Sequence, residues 1–310
     1  MSAKHWFIAL SASLMVGSLS VSLAEASVDP PRNRPLVETL TPEDELAAAQ
    51  ASAFRVRDAD LAATTEDLRV FVDASDQAVK DRRADVDDAT SAFRKSRSMD
   101  DFSRLALARS SLDQASLVLK EAKALAKEQV STNRKSIYMV VERVIKPANL
   151  RYSYRKLGEI DNPCVVTYMG IHASVINEQV ASLVEAREEA WSTRVAGLEA
   201  FRLGLAEPYD AVARAEVERE RARIAFAKDR SAANRAALKE RSGWLKIMQQ
   251  ERRSAVIALD SALQPLKKEL SASAADRMNS TDSTVEQALD LPSRRFAYCL
   301  DPDLFPDPDA

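Results

Sequence analysis

The chain has 310 residues, 44 Lys and Arg against 47 Asp and Glu, a net charge of −3, two histidines and two cysteines. Charges of both signs interleave along it, which describes a solvated helical surface and speaks against a nucleic-acid footprint. So few soft ligands argue against a zinc site or a Ser-His or Cys-His nucleophile, and no P-loop, dinucleotide fingerprint or nucleophile elbow is present. Cofactors, a small-molecule substrate and enzymatic activity are therefore not expected.

Residues 1–26 have Lys4, a serine-diluted apolar middle and Ala24-Glu25-Ala26. That is the layout of a signal peptide cleaved after Ala26, which predicts a secreted, lumenal or periplasmic chain. Residues 27–41, with Pro30, Pro31 and Pro35, read as an extended leader. Thr41-Pro42-Glu43-Asp44 then supplies an N-cap, a proline at the first helical position and acids in the first turn. From Glu43 to Lys146 there is neither Gly nor Pro, and the Ala, Arg, Asp, Glu and Leu mixture favours helix throughout.

Phe54, Leu61 and Leu68 recur every seven residues, and after a skip of four Val72, Val79, Val86 and Phe93 do the same. This is coiled-coil spacing with a stutter. A second stripe, Leu105, Leu112, Leu119 and Ala126, flanked by Ala108, Ala115 and Ala122, is out of phase with the first on one continuous helix. A turn near Arg97–Asp101 resolves the conflict, with Ser98 as the cap of a returning helix. Residues 42–146 are thus predicted to form a first helical hairpin.

Residues 147–170 read as an irregular link, because they hold Pro147, Gly158, Pro163 and Gly170 and a β-prone run after Cys164. Residues 171–276 repeat the first design. AFRKSRS at 92–98 matches AFAKDRS at 225–231 at an offset of 133 residues, which keeps heptad phase and suggests an internal duplication. The outgoing helix carries Val184, Trp191, Leu198 and Leu205, with a kink or a brief break expected at Pro208. The returning helix carries Leu238, Leu245, Leu259 and Leu266, with Arg252 on the same stripe and Pro265 near its end. Residues 277–310 read as a polar, acidic tail with a short helix from Thr284.

The expected fold is all-α: two tandem long antiparallel αα-hairpins making a coiled-coil-like four-helix rod, with an irregular, disulfide-stapled junction and tail. An even number of cysteines in an oxidising compartment predicts one bond, Cys164–Cys299, clamping the C-terminal segment to the link; two unpaired thiols are the alternative. Arg151, Tyr152, Tyr154, Arg155 and Lys156 are a candidate partner surface, since Tyr and Arg favour interface cores. Asn279-Ser280-Thr281 is a candidate glycosylation acceptor. The acidic pairs Asp87-Asp88, Asp100-Asp101 and Glu188-Glu189 lack calcium-loop spacing and read as solvated surface. The expected function is a secreted, non-enzymatic interaction or scaffold protein, which binds a protein partner or itself through helix faces. The alternative is a peripheral protein with amphipathic helices on a vacuolar or outer membrane.

Overall fold

A computed structural model describes residues 41–309. The signal peptide at 1–26 and the leader at 27–41, except Thr41, lie outside the described residues. Five helices follow one another: α1 (Pro42–Ser96), α2 (Met99–Leu157), α3 (Pro163–Lys228), α4 (Ala232–Lys267) and α5 (Glu269–Leu300). α4 and α5 are two halves of one returning leg, so the architecture is two antiparallel hairpins. With 66 residues, α3 runs about 100 Å at about 1.5 Å per residue.

The caps sit where the sequence places them. Thr41 and Asp44 form a reciprocal capping box, and Pro42 occupies the first turn of α1. Arg97 takes a left-handed conformation (φ 55°) and Ser98 accepts the Asp101 amide at 3.1 Å, which closes the first hairpin. Ser231 accepts the Asn234 amide at 3.3 Å and caps the second, 133 residues after Ser98. At the same offset, Phe93 meets Phe102 edge to face with centroids 5.4 Å apart, while Phe226 lies under the Arg235 guanidinium at 6.0 Å. One scaffold therefore carries two different turn contacts.

The main core is built from all four legs. Ala122 and Leu125 of α2 meet Leu198, Phe201, Leu205 and Tyr209 of α3 and Leu263 of α4, and Phe71 of α1 packs against them. α3 and α4 approach closely because α3 has glycines at two facing positions. A Cβ on Gly197 would overlap Leu266 Cδ1, and one on Gly204 would come within 2.7 Å of Leu259 Cδ2. The glycines and the leucines are each seven residues apart, so two leucine knobs of α4 seat on α3 backbone. Arg252 lies over the Tyr209 ring at 4.9 Å.

Four expectations are corrected. The link at 147–170 is not irregular: α2 continues through Pro147 to Leu157 and α3 begins at Pro163, leaving only the turn 158–162. Pro163 starts a helix, with Asn162 accepting the Cys164 amide at 3.0 Å, and burial of Val165 overrides its β preference. The tail at 277–310 is helical to Leu300, because Ala274, Met278, Thr281 and Val285 recur at four, three and four residues and are all buried. α3 runs without a break through Pro208, held by buried Leu205 and Tyr209 on either side. Phe54 is 44% exposed under the Arg57 guanidinium, and Ala53 takes the inward position.

Candidate functional site

The stapled end of the bundle gathers most of the residues singled out in the sequence. Gly158 (φ 76°) ends α2 in the left-handed region that only glycine adopts freely, and its amide donates to Arg155 and Tyr154 carbonyls. The turn then delivers Cys164 to the first turn of α3, where it is bonded to Cys299 of α5, 135 residues away. An aromatic layer packs below the bond. Phe296 stacks on Tyr168 with centroids 4.6 Å apart and meets Tyr154 edge to face at 5.7 Å. The Tyr168 hydroxyl lies 3.2 Å from Ser293 Oγ. Burial pushes the Tyr154 phenol above its usual pKa.

The five residues of the candidate partner surface do not share one open face. Arg155 is ion-paired with Glu45, and this contact holds the Glu45 carboxyl below the usual carboxylate range. Tyr152 donates to Glu43 Oε1 at 3.2 Å, and Lys156 donates to the Tyr152 hydroxyl at 3.2 Å. Tyr154 is turned into the aromatic layer. Arg151 remains exposed and borders a groove of about 490 Å³ between α1 and α2, lined also by Pro42, Leu46, Val144 and Pro147. Helix dipoles explain the arrangement. Acids favour the first turn of α1 and bases the last turn of α2, and antiparallel packing places the two turns side by side.

His172 lies 6.2 Å from Tyr168, and its buried Nδ1 has no hydrogen-bond partner among the described residues. Burial first, and Lys146 second, lower its pKa. The unfolded chain takes up a proton as pH falls through about 6.5, while the native imidazole resists it. Stability is therefore expected to be undiminished above about pH 6.5 and to fall below it. Urea midpoints at about pH 7.5 and 5.5 check this, and His172→Phe should remove that part of the difference.

A polar cluster that the sequence reading missed lies mid-bundle. Arg194 of α3 has 0% exposure, and its guanidinium donates to Gln129 Oε1, to Ser271 Oγ at 2.6 Å and to the Leu266 carbonyl at 3.1 Å. Among the described residues no carboxylate is within ion-pair distance of it; burial pulls its pKa down and Glu128 opposes that. Its bond to the Leu266 carbonyl lies in the last turn of α4, where carbonyls lack intrahelical partners and the dipole is negative, so Arg194 caps that end. Lys267 beside it pairs with buried Glu121 at 2.5 Å and with Asp260 at 2.9 Å. The signal was present in the heptads. The stripe Ala108, Ala115, Ala122 continues as Gln129, Ser136 and Arg143, all three buried.

Asn279 is exposed on α5, while Thr281 is buried and donates to the Met278 carbonyl at 2.6 Å. Among the described residues no cluster of His, Cys, Asp and Glu suits a metal ion, and no helix is long and apolar enough to cross a membrane. No protein-family model, curated protein or solved structure matches the chain.

Proposed function

We propose that this chain is a secreted, non-enzymatic helical interaction element that binds a protein partner or another copy of itself through outward helix faces. The supporting observation is on α1. Its inward residues Ala53, Leu68 and Val79 are buried, yet Val56, Ala63 and Val70 recur every seven residues on the solvent side. Val56 is 57% and Val70 54% exposed. A heptad-spaced apolar stripe left uncovered is the kind of surface that another helix packs against.

Val56→Glu with Val70→Glu should leave helicity and thermal midpoint nearly unchanged, because neither side chain contributes to the core. Light scattering coupled to size-exclusion chromatography, run at about 500 mM NaCl so that charge contacts are screened, should show an associated wild type and a monomeric double variant. A wild type that is monomeric under those conditions would remove self-association through α1. Strong co-flotation with anionic liposomes would replace the protein-binding reading with a membrane-surface one.

A further inference from the structure

We infer that the tip of the α3–α4 hairpin is a docking surface for the acidic segment 301–309 of a second copy, so that copies join end to end. This deepens the interaction reading above and rests on it. Between Arg219 and Lys246 the chain has nine Lys and Arg against three acids; the equivalent stretch of the first hairpin, 86–113, has five against five. The basic excess is thus confined to one of two otherwise similar tips.

Much of that charge is uncommitted. Arg221 and Arg223 pair with Glu218 and Glu220, each at 2.6 Å, and Arg235 covers Phe226. Lys228, Arg230, Lys239 and Arg241 are exposed, and none lies within ion-pair distance of a carboxylate among the described residues. The tip also stands clear of its neighbours. Met99 and Phe102, at the start of α2, pack beside Ala213 and Val217, so about ten residues of α3 and the facing turns of α4 extend about 15 Å past them.

The opposite end presents the complement. Segment 301–309 contains Asp301, Asp303, Asp307 and Asp309 and no base. It is anchored rather than trailing: Cys299 is bonded to α3, Asp301 Oδ1 accepts the amides of Asp303 and Leu304 at 3.2 Å, and Arg295 grips Asp309 at 2.7 Å. This loop leaves Leu304 71% and Phe305 41% exposed beside the aspartates. At the base of the tip, Ile247 is 54% exposed beside Trp244, which packs level with Val212 and Ala215, and offers an apolar contact next to the bases.

Distance decides where these charges find partners. The two ends are separated by about the length of α3, about 100 Å, against a Debye length of about 8 Å. They cannot neutralise each other within one molecule, but between copies they can. A contact of different surfaces, repeated from copy to copy, builds rings or filaments.

The test uses the whole processed chain in the Val56→Glu, Val70→Glu background, so that failure of the α1 reading is scored separately. Sedimentation velocity at about 50 mM NaCl should show chains of copies that dissociate toward about 500 mM. Lys228→Glu, Arg230→Glu, Lys239→Glu at the tip, or Asp301→Lys, Asp303→Lys, Asp307→Lys at the tail, should each weaken association at least about tenfold. Mixing the two triple variants should restore it, because an acidic tip then meets a basic tail. Association untouched by either set, no association at low salt, or a mixture that stays monomeric would overturn the inference. So would tip-dependent binding to phosphatidylserine vesicles by a protein that remains monomeric, which would assign the tip to a lipid surface.

Discussion

Arg194→Ala is expected to lower the stability of the bundle by about 3–5 kcal/mol, the largest effect of any single replacement outside the hydrophobic core. Two penalties combine. Gln129 Oε1, Ser271 Oγ and the Leu266 carbonyl lose their donor in a largely buried region, and the vacated volume becomes a cavity. Arg194→Met separates them: it fills most of the space but donates nothing, so the remaining loss of about 2 kcal/mol belongs to the orphaned acceptors. Urea unfolding with an unchanged slope is the measurement. If Met restored wild-type stability, the guanidinium would be an accommodated charge rather than the group that closes the end of α4.

Cys164→Ser with Cys299→Ser should cost about 4–5 kcal/mol on the chain-entropy account, since the bond closes a loop of 135 residues. The loss should also be local. Several of the ties between α5 and the other helices are polar: Arg143 to Asp282, Arg277 to Glu185 and Glu189, and Ser271 to Arg194. Its apolar contacts form two small sets, Ala274 and Met278 against Leu183, Ala186 and Ala190, and Phe296 against Tyr154 and Tyr168 beside the disulfide. Hydrogen exchange in the double variant should therefore accelerate first over Glu269–Leu300, while the core around Leu125 and Leu205 stays protected. Uniform acceleration across all five helices would show that the staple acts on the whole fold instead.

Much of this architecture is legible in the sequence because helices of this length leave a long periodic record. The heptads of Leu105, Leu198 and Leu205, the capping residues Thr41, Ser98 and Ser231, and the matching segments around Phe93 and Phe226 together specify two hairpins and their turns. The pairing of Cys164 with Cys299 follows from there being only two cysteines. The junction was harder. Glycine and proline mark it as irregular by composition, yet Pro163 starts a helix, and Pro147 and Gly170 lie inside helices. Local propensity is worth about 1–3 kcal/mol at such positions, and packing along the rest of these long helices exceeds it.

The candidate surface at Arg151–Lys156 shows the same limit from the side of function. Its residue types suit an interface, but whether they meet solvent depends on which helix end lies opposite, and here the acids of α1 take up Tyr152, Arg155 and Lys156. By itself the sequence determined the helical content, the antiparallel hairpins and the disulfide, since periodicity, caps and cysteine number act along the chain. Only the tertiary structure decided that the polar heptad positions Gln129, Ser136 and Arg143 are buried, that Arg194 closes α4, and that unlike charges collect at opposite ends. Those outcomes depend on what each side chain faces across a helix interface, which heptad spacing marks as an inward position without naming the partner.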